Sequence, residues 1–398
     1  MNRAAQSCLA VMCVVCLSGA DWLQFRGSDA NGVAAESSPP TNLETEAWSA
    51  ELSGRGLSGP IVVDGRVVVT SSSGYQQDRL HVVCFDDATG EQLWERQFWA
   101  TGRTMCHAKM CVATPTPASD GERIFAFYSS NDLACLDLDG NLLWYRGLTH
   151  DFPNASNSLG MASSPVVVGD TVIAQVESDA EAFAVGLDVE TGLSRWQLER
   201  PRAANWTSPS ILRGAAAKDD LAVLQSSKGL AAVAPLTGDI VWTYDESSST
   251  IPSLTISNGR VFVPSDGIAA LRPTIPGSAP EIIWQNAALK MGSASPLAYQ
   301  GYVYTLNRAG VLTATDEQSG DVAWKLRLRG GFSSSPIAGG GHLYLFNEEG
   351  VAFVVSSDEK KGSIVAEREL GETIMCTPAI AANAIYVRSD GRLWKFAN

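Results

Sequence analysis

The densest group of side chains able to do chemistry lies in residues 98–113, where Arg103, Cys106, His107, Lys109 and Cys111 fall close together. No Asp or Glu occurs between positions 99 and 118. Cys106-His107-x-x-x-Cys111 has the residue types of a metal site. A structural zinc, however, needs four ligands, usually as two spaced pairs, and no second cluster lies nearby in sequence. A local disulfide between Cys106 and Cys111, provided the chain is exported, or a pair of buried thiols suits the pattern better. Arg103, His107 and Lys109 have no acid beside them, and desolvating cations without partners is costly. They are expected to stay hydrated at a rim or to meet an anionic ligand or a partner carboxylate. General acid–base catalysis has little to draw on, with four histidines in the chain and no paired carboxylates. Nothing resembles a nucleophile elbow, a phosphate loop or a deaminase zinc motif.

The elements that must position these residues come from a repeat of 40 to 50 residues. One marker has the form Asp-x-x-Thr-Gly-x-x-x-Trp: Asp86, Thr89, Gly90 and Trp94, then Asp188, Thr191, Gly192 and Trp196. Asp316, Ser319, Gly320 and Trp324 keep the spacing, Thr237, Gly238 and Trp242 keep most of it, and Trp144 and Trp284 end altered versions. In the copy containing Gly362, Ala366 stands where Trp is expected. The second marker is a small residue before proline, at Gly59-Pro60, Thr114-Pro115, Ser164-Pro165, Ser208-Pro209, Ser295-Pro296, Ser335-Pro336 and Thr377-Pro378, with Ser253-Leu254 in the fifth copy. Each copy reads as four antiparallel strands. The proline opens the inner strand, Thr-Gly makes the last tight turn, and Trp sits on the outer strand. Four-stranded units repeated radially make a β-propeller. Each Trp should fill the wedge between adjacent blades. The last copy stops after its third strand, and the missing Trp-bearing strand is at the other end of the chain, around Trp48. The expected fold is therefore all-β: an eight-bladed propeller over residues 46–398, closed by the N-terminal strand pairing with the last blade.

This phrase, with Ser-Pro opening the inner strand, resembles the repeat of the quinoprotein (PQQ-type) propellers, a family that includes quinoprotein alcohol dehydrogenases and the outer-membrane assembly lipoprotein BamB. The segment Asp21-Trp22-Leu23-Gln24-Phe25-Arg26-Gly27 and the one from Phe98 to His107 resemble secreted PQQ-like repeat proteins of planctomycete-type bacteria. For the enzymes of the family, the resemblance implies PQQ and calcium in the central channel, over an adjacent Cys-Cys ring. This sequence has no Cys-Cys pair in the repeats.

In a propeller, the loops from each outer strand to the next inner strand reach the channel mouth. Those loops carry Arg55, Arg103, His107, Lys109, Asn157, Trp206 and Lys290, the candidate ligand-binding residues. Cys84 and Cys135 occupy equivalent third-strand positions and read as buried thiols. Residues 1–20 read as a cleavable signal peptide, with Arg3, an apolar run over 9–17 and Ser18-Gly19-Ala20. The run is short for a membrane span. Val15 before Cys16 disfavours a lipoprotein, so periplasmic or secreted localisation is expected. Residues 21–45 form an N-terminal extension. Hydrophobic residues at 45% against 18% charged allow a large core, and a net charge of −14 without a basic run argues against nucleic acid. The expected function is a non-catalytic binding or assembly scaffold for an extracytoplasmic protein, peptide, glycan or small anionic ligand. The alternative is a dehydrogenase dependent on PQQ and calcium.

Overall fold

The computed structural model describes residues 21–156, 159–274, 277–357 and 361–398. Eight sheets are arranged as blades, each with an inner strand at the channel and an outer strand at the rim. Blade 1 runs Ile61–Val63, Arg66–Ser73, Arg79–Asp86 and Gln92–Trp99, all antiparallel. Its two middle strands are buried along nearly their whole length because neighbouring blades cover both faces. The outer strand has one covered face and reads as mixed. Closure follows the expected route. Glu46–Glu51 pairs antiparallel with Arg392–Phe396, completing blade 8 with Ala384–Arg388 and Ala379–Ala381.

In six outer strands a tryptophan sits at a register irregularity, opposite a small residue. Trp94 faces Cys84, Trp144 faces Cys135, Trp196 faces Gly186, and Trp242, Trp284 and Trp324 face Ala232, Ala270 and Ala314. A Cβ on Gly186 would lie 2.2 Å from the Trp196 ring, so the small partner makes room for the indole. The ring also reaches the next blade. Trp48 Nε1 donates to Asp87 O at 2.8 Å, Trp94 to Leu138 O at 2.9 Å and Trp144 to Val189 O at 3.0 Å. Beneath Trp48, Gly90 adopts φ +74°, and a Cβ there would come within 2.6 Å of the ring, which is why the tight turn ends in glycine. Ala366 does occupy the Trp register, facing the larger Val354. Leu43, buried at 2%, belongs to the core cluster against which Ala366 packs, and Arg368 donates to the carbonyls of Leu43 and Glu44.

One proline marker needs correction. The second blade's inner strand is Ala118–Ser119, so Thr116-Pro117 and not Thr114-Pro115 opens it. Thr114 instead closes a local turn, donating to Cys111 O at 2.7 Å.

The extension behaves as part of the ring. Trp22 pairs with Val62 of blade 1, Leu23 O accepts from Ser119 of blade 2, and Gln24 accepts from Val167 of blade 3. Ser28 and Asp29 hold Arg213 of blade 4. Arg26 reaches Leu254 O of blade 5 and Pro296 O of blade 6, and Gly32 O accepts from Ala338 of blade 7. Val33–Ala34 adds a parallel strand to that blade, and Ser38 meets Asn383 of blade 8. Residues 22–38 thus touch all eight blades across one end of the channel.

Candidate functional site: a cup in the central channel

The residue before each inner-strand proline braces its neighbour. Each backbone N–H donates to the side-chain hydroxyl of the next blade: Gly59 to Thr116 Oγ1 (2.8 Å), Thr116 to Ser164 Oγ (3.0 Å) and Ser164 to Ser208 Oγ (2.9 Å). The chain of bonds continues from Ser208 to Ser253 (2.9 Å), Ser253 to Ser295 (3.0 Å), Ser295 to Ser335 (3.0 Å) and Ser335 to Thr377 (3.1 Å). Gly59 breaks the circle because a Cβ there would lie 2.5 Å from Thr377 O. The small-residue marker therefore needs a hydroxyl for bonding as well as a small size for fit. These seven hydroxyls form a crown around the axis.

The crown is the lower wall of a cup of about 390 Å³ that opens on the long-loop face. Phe25, from the extension, lines it as well. Above the crown, each inter-blade loop contributes side chains, and Leu57, Met110, Leu159, Trp206, Ile251 and Met375 make an apolar collar. Trp206 is fixed there by donating Nε1–H to Gly160 O at 2.8 Å. A concave, largely apolar cavity with converging polar groups is the usual form of a small-ligand site.

The structure brings three of the expected residues to this cup: His107, Lys109 and Trp206. His107 Nδ1 accepts the Lys109 N–H at 3.1 Å, and Lys109 Nζ is paired with Glu348 at 3.0 Å. Arg55 is bound to Asp390 at 3.2 Å and lines a separate recess that adjoins the cup through Leu57, Lys109 and Met375. Lys290 is exposed and paired with Asp266 outside the cup lining. Arg103 is exposed and also stands outside that lining. Asn157 lies outside the described residues, as do positions 1–20.

Of the two alternatives for Cys106 and Cys111, the structure shows no disulfide. Cys106 and Cys111 are free thiols, as are Cys84, Cys135 and Cys376. Cys106 Sγ donates to Met110 O at 3.6 Å, whereas Cys111 is fully buried against Thr114, so the two sulfurs face different partners. Burial pushes the thiols of Cys84 and Cys135 up to about 12, and those of Cys111 and Cys376 up to about 11, which makes them poor nucleophiles.

Sequence reading missed two features. The first is a pair of buried guanidiniums beside the crown, Arg26 and Arg388, 1% and 0% exposed. The second is a relay inside blade 1. Ser73 Oγ lies 2.7 Å from His81 Nε2, and His81 Nδ1 lies 2.6 Å from Glu95 Oε1. His81 is 4% exposed, and the three residues line neither the cup nor the adjoining recess. With both ring nitrogens taken up, the array braces three strands.

PQQ with calcium does not fit the residues present. The cup lining contains no carboxylate to ligate calcium, and among the described residues no cluster of His, Cys, Asp and Glu is placed to hold a metal ion. Among the described residues no two cysteines are bonded to each other.

Solved structures share the architecture. BamB from Moraxella catarrhalis superposes with a TM-score of 0.66 at 17% identity, covering 89% of this chain and 97% of that one. Quinohemoprotein alcohol dehydrogenase from Comamonas testosteroni gives 0.69 at 14% identity, covering 95% and 80%. A europium-containing methanol dehydrogenase gives 0.68 at 14%, covering 95% and 98%. At these identities the likeness is one of fold. No curated protein matches the sequence. A family model, however, matches residues 41–177, 81–272 and 278–365, and by that match the chain belongs to the family described as outer membrane protein assembly factor BamB.

Proposed function

We propose that this protein is a non-catalytic binding scaffold that works outside the cytoplasm and presents the loop face of its propeller to a partner. The observation that carries this reading is the cup: built by all eight blades, stopped below by Phe25, and lined by hydroxyl and apolar groups with His107 and Lys109, without a carboxylate or a metal cluster among the described residues. The family description, an assembly factor, agrees with a role in holding other proteins. Among the described residues no helix is long and apolar enough to cross a membrane. Export through the leader at residues 1–20 belongs to the same proposal and predicts a periplasmic or secreted mature chain.

The test against the enzyme reading is a difference absorption spectrum after adding PQQ and calcium to the purified protein. The scaffold reading expects no spectrum of bound quinone. A saturable quinone spectrum with alcohol-dependent bleaching would overturn it.

A further inference from the structure

We propose that the floor of the cup is an anion site that takes the carboxylate end of a ligand whose apolar stem lies against the collar. Two independent sets of groups point there. The first is the crown. All seven hydroxyls are at least nine-tenths buried, and each accepts an amide N–H. Among the described residues, none has a protein acceptor for its own proton. Buried O–H donors are normally satisfied, so this ring has spare donors facing one cavity.

The second set is charge. Arg26 donates to Leu254 O (2.8 Å) and Pro296 O (2.6 Å), the carbonyls immediately after crown residues Ser253 and Ser295. Arg388 donates to Thr70 O at 2.6 Å and to Ser58 Oγ at 3.3 Å, beside Gly59 at the break in the crown. Neither guanidinium has a carboxylate partner among the described residues, and Arg26 Nε and Arg388 Nη2 have no acceptor at all. Asp390, which lines the same recess as Arg388, is committed to Arg55 and to the Gly56 N–H. Burial pulls Arg26 down to about 9, still cationic at neutral pH. A chain of net −14 thus keeps two buried guanidiniums without a direct carboxylate partner among the described residues, Arg26 next to the crown and Arg388 in the adjoining recess. Arg26 stands one residue from the crown at Ser253 and Ser295, outside the cup lining itself, and Arg388 lines the adjoining recess, so their charge biases the crown toward an anion by its field and not by contact. The collar of Leu57, Met110, Leu159, Ile251 and Met375 then selects an apolar stem over a compact, fully hydrated ion. A free acid and a polypeptide C-terminus ending in an apolar residue present the same chemistry.

This assignment rests on the binding reading above, and it can fail alone. If the probes below do not bind while the loop face still crosslinks a partner protein, the carboxylate site falls and the scaffold stands. The probes are hexanoate, hexanamide, inorganic phosphate, and a short peptide ending in leucine as free acid and as amide. Binding is followed by calorimetry and by the methyl resonances of methionine. Hexanoate or the free-acid peptide is expected to shift Met110 and Met375, which line the cup, and to leave exposed Met105 unmoved. The matched amides should bind at least about ten-fold more weakly, the usual cost of losing a charge-assisted hydrogen bond. Tighter binding of hexanoate identifies small acids as the source, and tighter binding of the peptide identifies chain ends. The double substitution Ser208→Ala with Ser253→Ala should weaken the preferred carboxylate by about ten-fold or more. Arg26→Gln should do the same where the folded state survives. Because Arg26 is buried, the unmodified protein's discrimination between acid and amide decides the matter. Equal affinity for acid and amide, phosphate binding as tightly as hexanoate, or unmoved Met110 and Met375 would each overturn the proposal.

Discussion

Glu177 shows how one buried group sets a pH dependence. Its carboxylate is paired with Arg200 at 2.8 Å, and Oε2 has no partner. Burial raises its pKa from 4.5 to about 7 despite Arg200. A carboxyl raised on folding holds its proton more tightly in the folded state than in the unfolded one. Its contribution to stability is therefore full below pH 4.5 and is lost as the pH rises through 7. Relative to Glu177→Gln, the parent should lose on the order of 1–3 kcal/mol between these limits. Thermal melts of both proteins across that interval check it, and parallel curves would show that Glu177 does not titrate on unfolding. Some of the residue-scale chemistry was legible in sequence and some was not. Trp94 and Trp196 announced themselves by spacing, and Cys84 and Cys135 are small because an indole lies over each. Whether Arg103 and Lys290 reach the cup depends on which loop ends fold inward, and spacing along the chain carries no such information. Thr114 and Thr116 are both followed by proline, so only the strand register separates the turn residue from the crown residue.

At the scale of elements, the closing strand and the extension carry most of the risk. Deleting residues 46–52 removes Trp48 and the fourth strand of blade 8, exposing the edge of Arg392–Phe396. Loss of soluble, cooperatively folding protein is expected, and an unchanged melting temperature would contradict the closure. Deleting residues 21–32 takes Trp22 from a site 3% exposed and Arg26 from its carbonyls. The cost should be roughly 3 kcal/mol or more, from the indole alone. A differential scanning experiment measures it, and a ring as stable as the parent would show the extension to be ornamental. Ala366→Trp is the converse test. Leu43 and Val354 occupy the neighbourhood that other blades leave to an indole, so overpacking by about 1–3 kcal/mol is expected. Stabilisation would mean that the groove bordered by Leu43 and Ala366 accepts the ring. The closure was readable because a strand was missing at one end of the chain and spare at the other. The path of residues 22–38 was not readable, since it follows no period and its partners are spread from Val62 to Asn383.

The whole molecule is an acidic ring with one end stopped by its own N-terminal segment and the other open through loops of unequal length. That asymmetry gives it one working face. Exposed apolar side chains occur at both ends of the outer strands: Trp99 and Met105 on the loop side, Leu142 and Leu193 beside the opposite turns. Only the first pair lies on the side where the cup opens. The eight-bladed plan is shared with proteins of different activity, so the face and its lining, not the fold, decide the function. The most direct measurement is therefore site-specific photocrosslinking in the native envelope. A benzophenone side chain is placed in turn at Trp99, Met105, Leu142 and Leu193. The account predicts discrete, reproducible adducts with one envelope protein from positions 99 and 105 and none from 142 and 193. Adducts from the turn side alone, or from no position while the protein is folded and exported, would contradict it.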